Sequence, residues 1–203
     1  MKKYIIVLVT CLTVQTLFSQ EFYFLTGENF TNYNYKNSSG EENENLEKGN
    51  GVFFEIGYTQ DLKVNGLKYS IGLALDSYNA TGGNTLDNYD WKTKYLGLQN
   101  TISYAFIDTD DYQIMLNGGA NLSTIIYGEQ KIGGTTYDLK TDKEFSGLFI
   151  SPEIGLQARY NIWQTYISLG YNFSKSFNVS NSTDEELSFS THQIQFGIHF
   201  YIR

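Results

Sequence analysis

The 203-residue chain has one cysteine, one proline and two histidines, and beyond its first twenty residues it has no apolar run long enough to cross a bilayer as a helix. Each scarcity excludes something. Cys11 lies in an N-terminal stretch expected to be removed, so the exported chain has no disulfide to rely on. No histidine or cysteine cluster has metal-ligand spacing, and the acidic run Glu41, Glu42, Glu44 and Glu47 lacks the calcium-loop pattern, so neither metal nor cofactor is expected. Positive charge is also short, with 14 Lys and Arg against 22 Asp and Glu. The net charge of -8 becomes -10 without Lys2 and Lys3, which excludes nucleic acid and simple attraction to anionic surfaces.

Met1-Lys2-Lys3 followed by apolar residues as far as Phe18 has the charged start and short apolar core of a secretory signal. Cleavage after Ser19 makes residues 1–19 the leader and 20–203 the mature domain. Lipidation at Cys11 is disfavoured, because Thr10 stands where a small residue is expected.

What the chain has is glycine, tyrosine and alternation: 19 glycines, 17 tyrosines, and segment after segment with an apolar residue at every second position. Period two is the strand signature. The pattern predicts eight strands near 21–35, 51–62, 67–78, 92–107, 112–127, 146–160, 164–177 and 189–202. Long and short gaps alternate between them, the plan of an all-β, eight-stranded antiparallel up-and-down transmembrane barrel with both termini on the short-turn side. A mildly hydrophilic average is no objection, since a spanning strand gives half its side chains to the lumen.

Parity sorts the faces. Leu96, Leu98 and Ile102, Ile167, Leu169 and Tyr171, and Ile194, Phe196 and Ile198 are expected to face lipid, with Asp76, Gln99, Asn117, Asn121, Gln157, Asn172 and Gln195 inside. The first strand leaves its register open, because Thr26 and Glu28 share the face of Phe22, Phe24 and Phe30. Gly57, Gly72, Gly119, Gly155, Gly170 and Gly197 share the inward parity and are expected to form a lumen belt, where a missing Cβ makes room in a narrow barrel. Aromatics near the short turns, among them Tyr58, Tyr104, Tyr112, Tyr160 and Trp163, fit an interfacial girdle.

The chemistry-bearing residues fall on the inward face. Glu55, Lys68, Glu153, Arg159 and His199 are expected to form a lumen polar network, a plug of ion pairs and hydrogen bonds in which opposite charges and amides satisfy each carboxylate. Catalysis is the competing use, but no spacing supports a Ser-His-acid set, and no enzyme activity is expected.

In the last strand, Gln195, Gly197, Phe200 and Ile202 resemble the C-terminal assembly signal of outer-membrane barrels: a polar residue, a glycine and two spaced hydrophobic residues. The chain ends in Ile202-Arg203 instead of a terminal aromatic. With this motif the mature chain resembles the small outer-membrane β-barrels of the OmpA/OmpX-like group, often called the porin family. The resemblance implies a monomer in the cell outer membrane of a Gram-negative envelope, with membrane lipids and the barrel-assembly machinery as partners.

Three functions follow as expectations. The first is a closed or narrow barrel working through its extracellular loops, by adhesion, surface protection or docking of an envelope partner. Tyr33-Asn34-Tyr35, Tyr89-Asp90-Trp91 and Thr136-Tyr137 are its exposed aromatics. The second is a narrow channel or small-molecule transporter. The third is a soluble lipid-binding barrel with the two faces exchanged.

Overall fold

The structure, a computed structural model, describes residues 20–42, 46–83, 88–180 and 185–202. The expected leader with Cys11, and Glu44 and Arg203, lie outside them. The strands are β1 (Gln20–Lys36), β2 (Leu46–Asp61), β3 (Leu67–Gly83), β4 (Asn88–Asp108), β5 (Tyr112–Ile132), a short β6 (Thr135–Asp138), β7 (Leu148–Ile162), β8 (Thr165–Asn178) and β9 (Glu186–Ile202). Each long strand pairs antiparallel with its sequence neighbours, β5 pairs with β7 beside β6, and β1 pairs with β9, so eight strands close on themselves. This is the predicted up-and-down barrel. The β1–β9 seam runs without interruption from Gln20↔Ile202 to Lys36↔Glu186.

Two differences from the sequence expectation have local causes. The β5–β7 pairing ends at Thr124↔Leu148 and from Glu129 onward β5 pairs with β6, so the segment read as one polar loop, residues 129–145, is a hairpin followed by a 3₁₀ turn at Leu139–Thr141. A bulge where Lys94 pairs Tyr127 but Tyr95 pairs Ile125 resets parity on β5, turning Tyr127 outward. The single proline, Pro152, stands between Ile150 and Glu153, where the β7–β8 ladder is interrupted and no N–H is needed.

The faces follow the predicted parity. Leu73, Leu98, Ile102, Leu116, Ile154, Leu169 and Phe196 are exposed on the outer wall, while Asp76, Gln99, Asn117, Asn121, Gln157, Asn172 and Gln195 are buried. β1 resolves in the same way, with Phe22, Phe24 and Phe30 outside and Glu21, Tyr23, Leu25, Asn29 and Tyr33 inside. Its polar outward residues are tied down: Thr26 donates to the Phe53 carbonyl at 2.9 Å, and Glu28 accepts from Asn50 at 2.8 Å. A closed sheet that buries amides and exposes a continuous apolar belt is stable only where hydrocarbon covers the belt. The wall therefore spans a membrane, and the aqueous lipid-binding alternative, which needs apolar residues inside, does not describe this barrel. No helix among the described residues is long and apolar enough to cross a bilayer.

Candidate functional site

The lumen is filled in two layers of different chemistry. At the short-turn end the organising group is Glu21, the first residue of the first predicted strand. Its two carboxylate oxygens accept from Lys68 Nζ at 2.7 Å and from Arg159 Nη1 at 2.8 Å, and Lys68 also meets Asp61 at 2.7 Å. All three principal members are nearly fully buried. Strand ends explain the meeting: Glu21 and Lys68 are the second residues of β1 and β3, and Arg159 and His199 lie near the ends of β7 and β9, so the short turns bring them to one level.

His199 belongs to the same layer. Its Nε2 lies 3.0 Å from Ser168 Oγ, and its Nδ1 lies 3.8 Å from Glu21. The set contains serine, histidine and glutamate, but Glu21 is already committed to two cations. The adjoining cavity, lined by Tyr23, Glu153 and His199 among others, has a volume of about 30 Å³. That holds a water and not a substrate.

Deeper in the lumen, Glu55 and Glu153 are placed apart from Lys68 and Arg159, with neutral partners. Tyr23 Oη donates to Glu55 at 2.5 Å, and Gln99 Nε2 donates to Glu153 at 2.5 Å. Asp76 takes Asn29 and Asn121 at 3.3 and 3.2 Å. The five network residues named from sequence thus divide between two groups, and the residue linking the first of them, Glu21, was missed. Its inward parity was the available signal, obscured by the mixed face of the first strand.

The glycines sit where lumen side chains cross. A Cβ on Gly57 or Gly72 would strike the Tyr23 hydroxyl, one on Gly155 the Asn172 amide, and one on Gly197 the side chains of Leu25 and Ser168. Gly170 faces Gln195, whereas Gly119 lies against the β4 backbone at Asn100. In the last strand Gln195 is buried and donates to Gln193, while Phe200 and Ile202 are outside.

The loop end carries a layer absent from the sequence expectation. Tyr33, Tyr78, Trp91, Tyr95, Phe149 and Phe189 converge inside the mouth, joined by Leu139 and Phe145 from the segment that folds back after β6. Trp91 meets Phe145 edge-on at 5.0 Å, and Tyr33 meets Phe189 at 4.9 Å. Asn178 holds the folded-back segment by donating to the carbonyls of Glu144 and Ser146 at 2.9 and 2.8 Å. Two expected loop aromatics are therefore corrected: Tyr33 and Trp91 are 4% and 6% exposed and close the mouth, whereas Tyr137 does stand in solvent. Of the expected girdle, Tyr104, Tyr112, Tyr160 and Trp163 all face outward near the short turns.

No protein-family model matches the chain, and no curated protein sequence does. Solved structures match it in shape. Neisserial surface protein A shares 14% identity with a TM-score of 0.50, covering 88% of this chain and 96% of that one. A major outer membrane protein from Thermus thermophilus shares 11% identity with a TM-score of 0.48, covering 89% and 99%. The outer membrane protein OprG from Pseudomonas aeruginosa shares 13% with a TM-score of 0.44, covering 92% and 99%. At such identities the likeness to the Neisserial protein is one of fold: a small closed β-barrel over nearly the whole of both chains.

Proposed function

We propose that the chain is an integral outer-membrane barrel, closed to solutes, that acts through its extracellular end. The observation carrying this reading is the double closure of the lumen: a buried ion-pair layer around Glu21 at one end and an aromatic layer around Trp91 and Phe189 at the other. Two cavities between them have volumes of about 30 and 20 Å³. Neither passes more than water. The short turns face the periplasm and the long connections face outward, the arrangement usual for such barrels.

Strand length supports the assignment of work to the outer end. β4 and β5 each run 21 residues, about twice the roughly 9–11 that a tilted strand needs to cross hydrocarbon. The excess carries Tyr137 into solvent, suited to docking or adhesion and not to catalysis.

Planar-bilayer recording of the refolded chain tests the closure. The expected trace is flat at physiological salt, and steady open steps would overturn it. Fractionation of cells making the full chain tests the location, with recovery in detergent-solubilised outer membrane as the expected result.

A further inference from the structure

The aromatic layer in the mouth has two sources that differ in how firmly they are held. Tyr78, Tyr95, Phe149 and Phe189 stand on barrel strands and are fixed by the ladders around them. Leu139 and Phe145, which cap them, come from the segment between β6 and β7. That segment turns on itself: the Asp142 N–H donates to the Leu139 carbonyl at 3.2 Å, and Phe145 and Ser146 donate to the Asp142 carbonyl at 3.2 and 2.8 Å. It is tied to the wall through Asn178 and through the Leu148 N–H, which donates to Ser180 Oγ at 2.8 Å. Among the described residues no strand pairs with residues 125–128 of β5 on the β7 side. The segment enters by that gap and can leave by it without breaking a strand pair. Gly147, at φ +96, is the turn at its root.

We infer that the basin under Leu139 and Phe145 is a docking site for a cationic amphipathic peptide, and that these two side chains fill it when the peptide is absent. The inference rests on the reading that the barrel is closed and acts through its outer end. What the peptide replaces sets its apolar half: one aliphatic and one aromatic side chain bedded on rings. The rim sets its charge. Asp138, Asp142, Glu144 and Glu185 gather there, and partial burial followed by the charges of the other three raises the Asp142 carboxyl above its ordinary 3.8. Asp138 has Lys140 at 3.6 Å, whereas among the described residues no lysine or arginine lies within ion-pair distance of Asp142 or Glu144.

Bringing carboxylates down beside Glu185 costs the segment free energy that an arginine-bearing ligand does not incur. Tyr95 adds an unmet demand, since its hydroxyl is fully buried in this layer without a hydrogen-bond partner and can donate to a peptide carbonyl entering the basin. Exchange leaves the lumen shut, because the Glu21 layer lies at the other end. A ligand that competes with the segment also has a distinctive sign. Loosening the segment tightens binding, because a larger fraction of molecules then has the basin open.

The test uses the full chain carrying Trp163→Phe, folded in nanodiscs of neutral lipid and titrated with an amidated hexapeptide of alternating arginine and phenylalanine, with Trp91 emission as the readout. Saturable binding is expected. Phe145→Ala and Asn178→Ala should each tighten it about threefold or more, and Glu185→Lys should weaken it about tenfold. Asp110→Lys, the same change of charge at the short-turn end, should leave it unaltered. Heat-modifiable gel mobility checks the fold of each variant. Four results would overturn the proposal: unchanged or weaker binding in both loosened variants, equal binding of a hexapeptide with glutamate for arginine, equal binding of one with alanine for phenylalanine, or equal weakening by D110K and E185K. Steady current through the chain without peptide would instead sink the closed-barrel reading, which separates the two failures.

Discussion

The Tyr23 hydroxyl donates to Glu55 Oε1 across a floor made by Gly57 and Gly72, so a phenol on β1 reaches a carboxyl on β2 only because β2 and β3 lack side chains beneath it. The glycines and the hydrogen bond are one device. Gly72→Ala is expected to push the ring away and strand Glu55, lowering stability by about 1–3 kcal/mol. Urea titration of the refolded chain, followed by gel mobility, reads the change; an unaltered midpoint would show the floor to be slack.

Glu21 is the shared anion of Lys68 and Arg159, and its removal leaves two buried cations with one fewer partner. Glu21→Ala should therefore cost about 3–5 kcal/mol, as for other broken buried pairs. Lys36→Ala removes two long, exposed contacts and should stay within about 0.5 kcal/mol of the parent. Equal effects of the two substitutions would contradict the burial of the first layer.

The chain has two tryptophans in opposite settings: Trp91 is packed under Phe145, and Trp163 is 95% exposed at a short turn. In a Trp163→Phe background, emission should be blue-shifted and resistant to acrylamide. Phe145→Ala should then red-shift it and restore quenching, while retaining the folded gel mobility.

The folded-back segment should respond to acid. Partial burial, and then Glu144, Asp138 and Glu185, raise the Asp142 carboxyl above its ordinary value of 3.8. A carboxyl whose folded-state pKa is raised costs stability when ionised. The docked segment is therefore weakest above that raised pKa, tightens as pH falls through it, and has gained the full contribution below 3.8. Quenching of Trp91 should decline over that window, and Asp142→Asn should flatten the profile.

Alternation made the wall legible from the residues alone. Ile167, Leu169 and Tyr171 point outward and Ser168 and Gly170 inward because a pleated strand offers no other choice. Height and partnership were not legible. Lys68 and Arg159 meet Glu21 because closure with a given tilt and stagger sets three distant strand ends level, and parity carries no information about stagger. Tyr33 and Trp91 obey the inward parity too, yet whether an inward ring above the belt stands in water or packs on others depends on a segment folding back over the mouth. The bulge beside Tyr95, which turns Tyr127 outward, likewise follows from pairing and not from spacing.

The seam joining Gln20–Lys36 to Glu186–Ile202 has a consequence for how the molecule comes into being. The two segments that must zip together are the first and last strands of the barrel to be synthesised, so the cylinder has two raw borders until the last strand has emerged. Those borders are unpaired backbone beside greasy faces, the combination most prone to join the wrong neighbour. Such a polypeptide needs an escort from ribosome to bilayer, and its closing step is bound to wait for its tail.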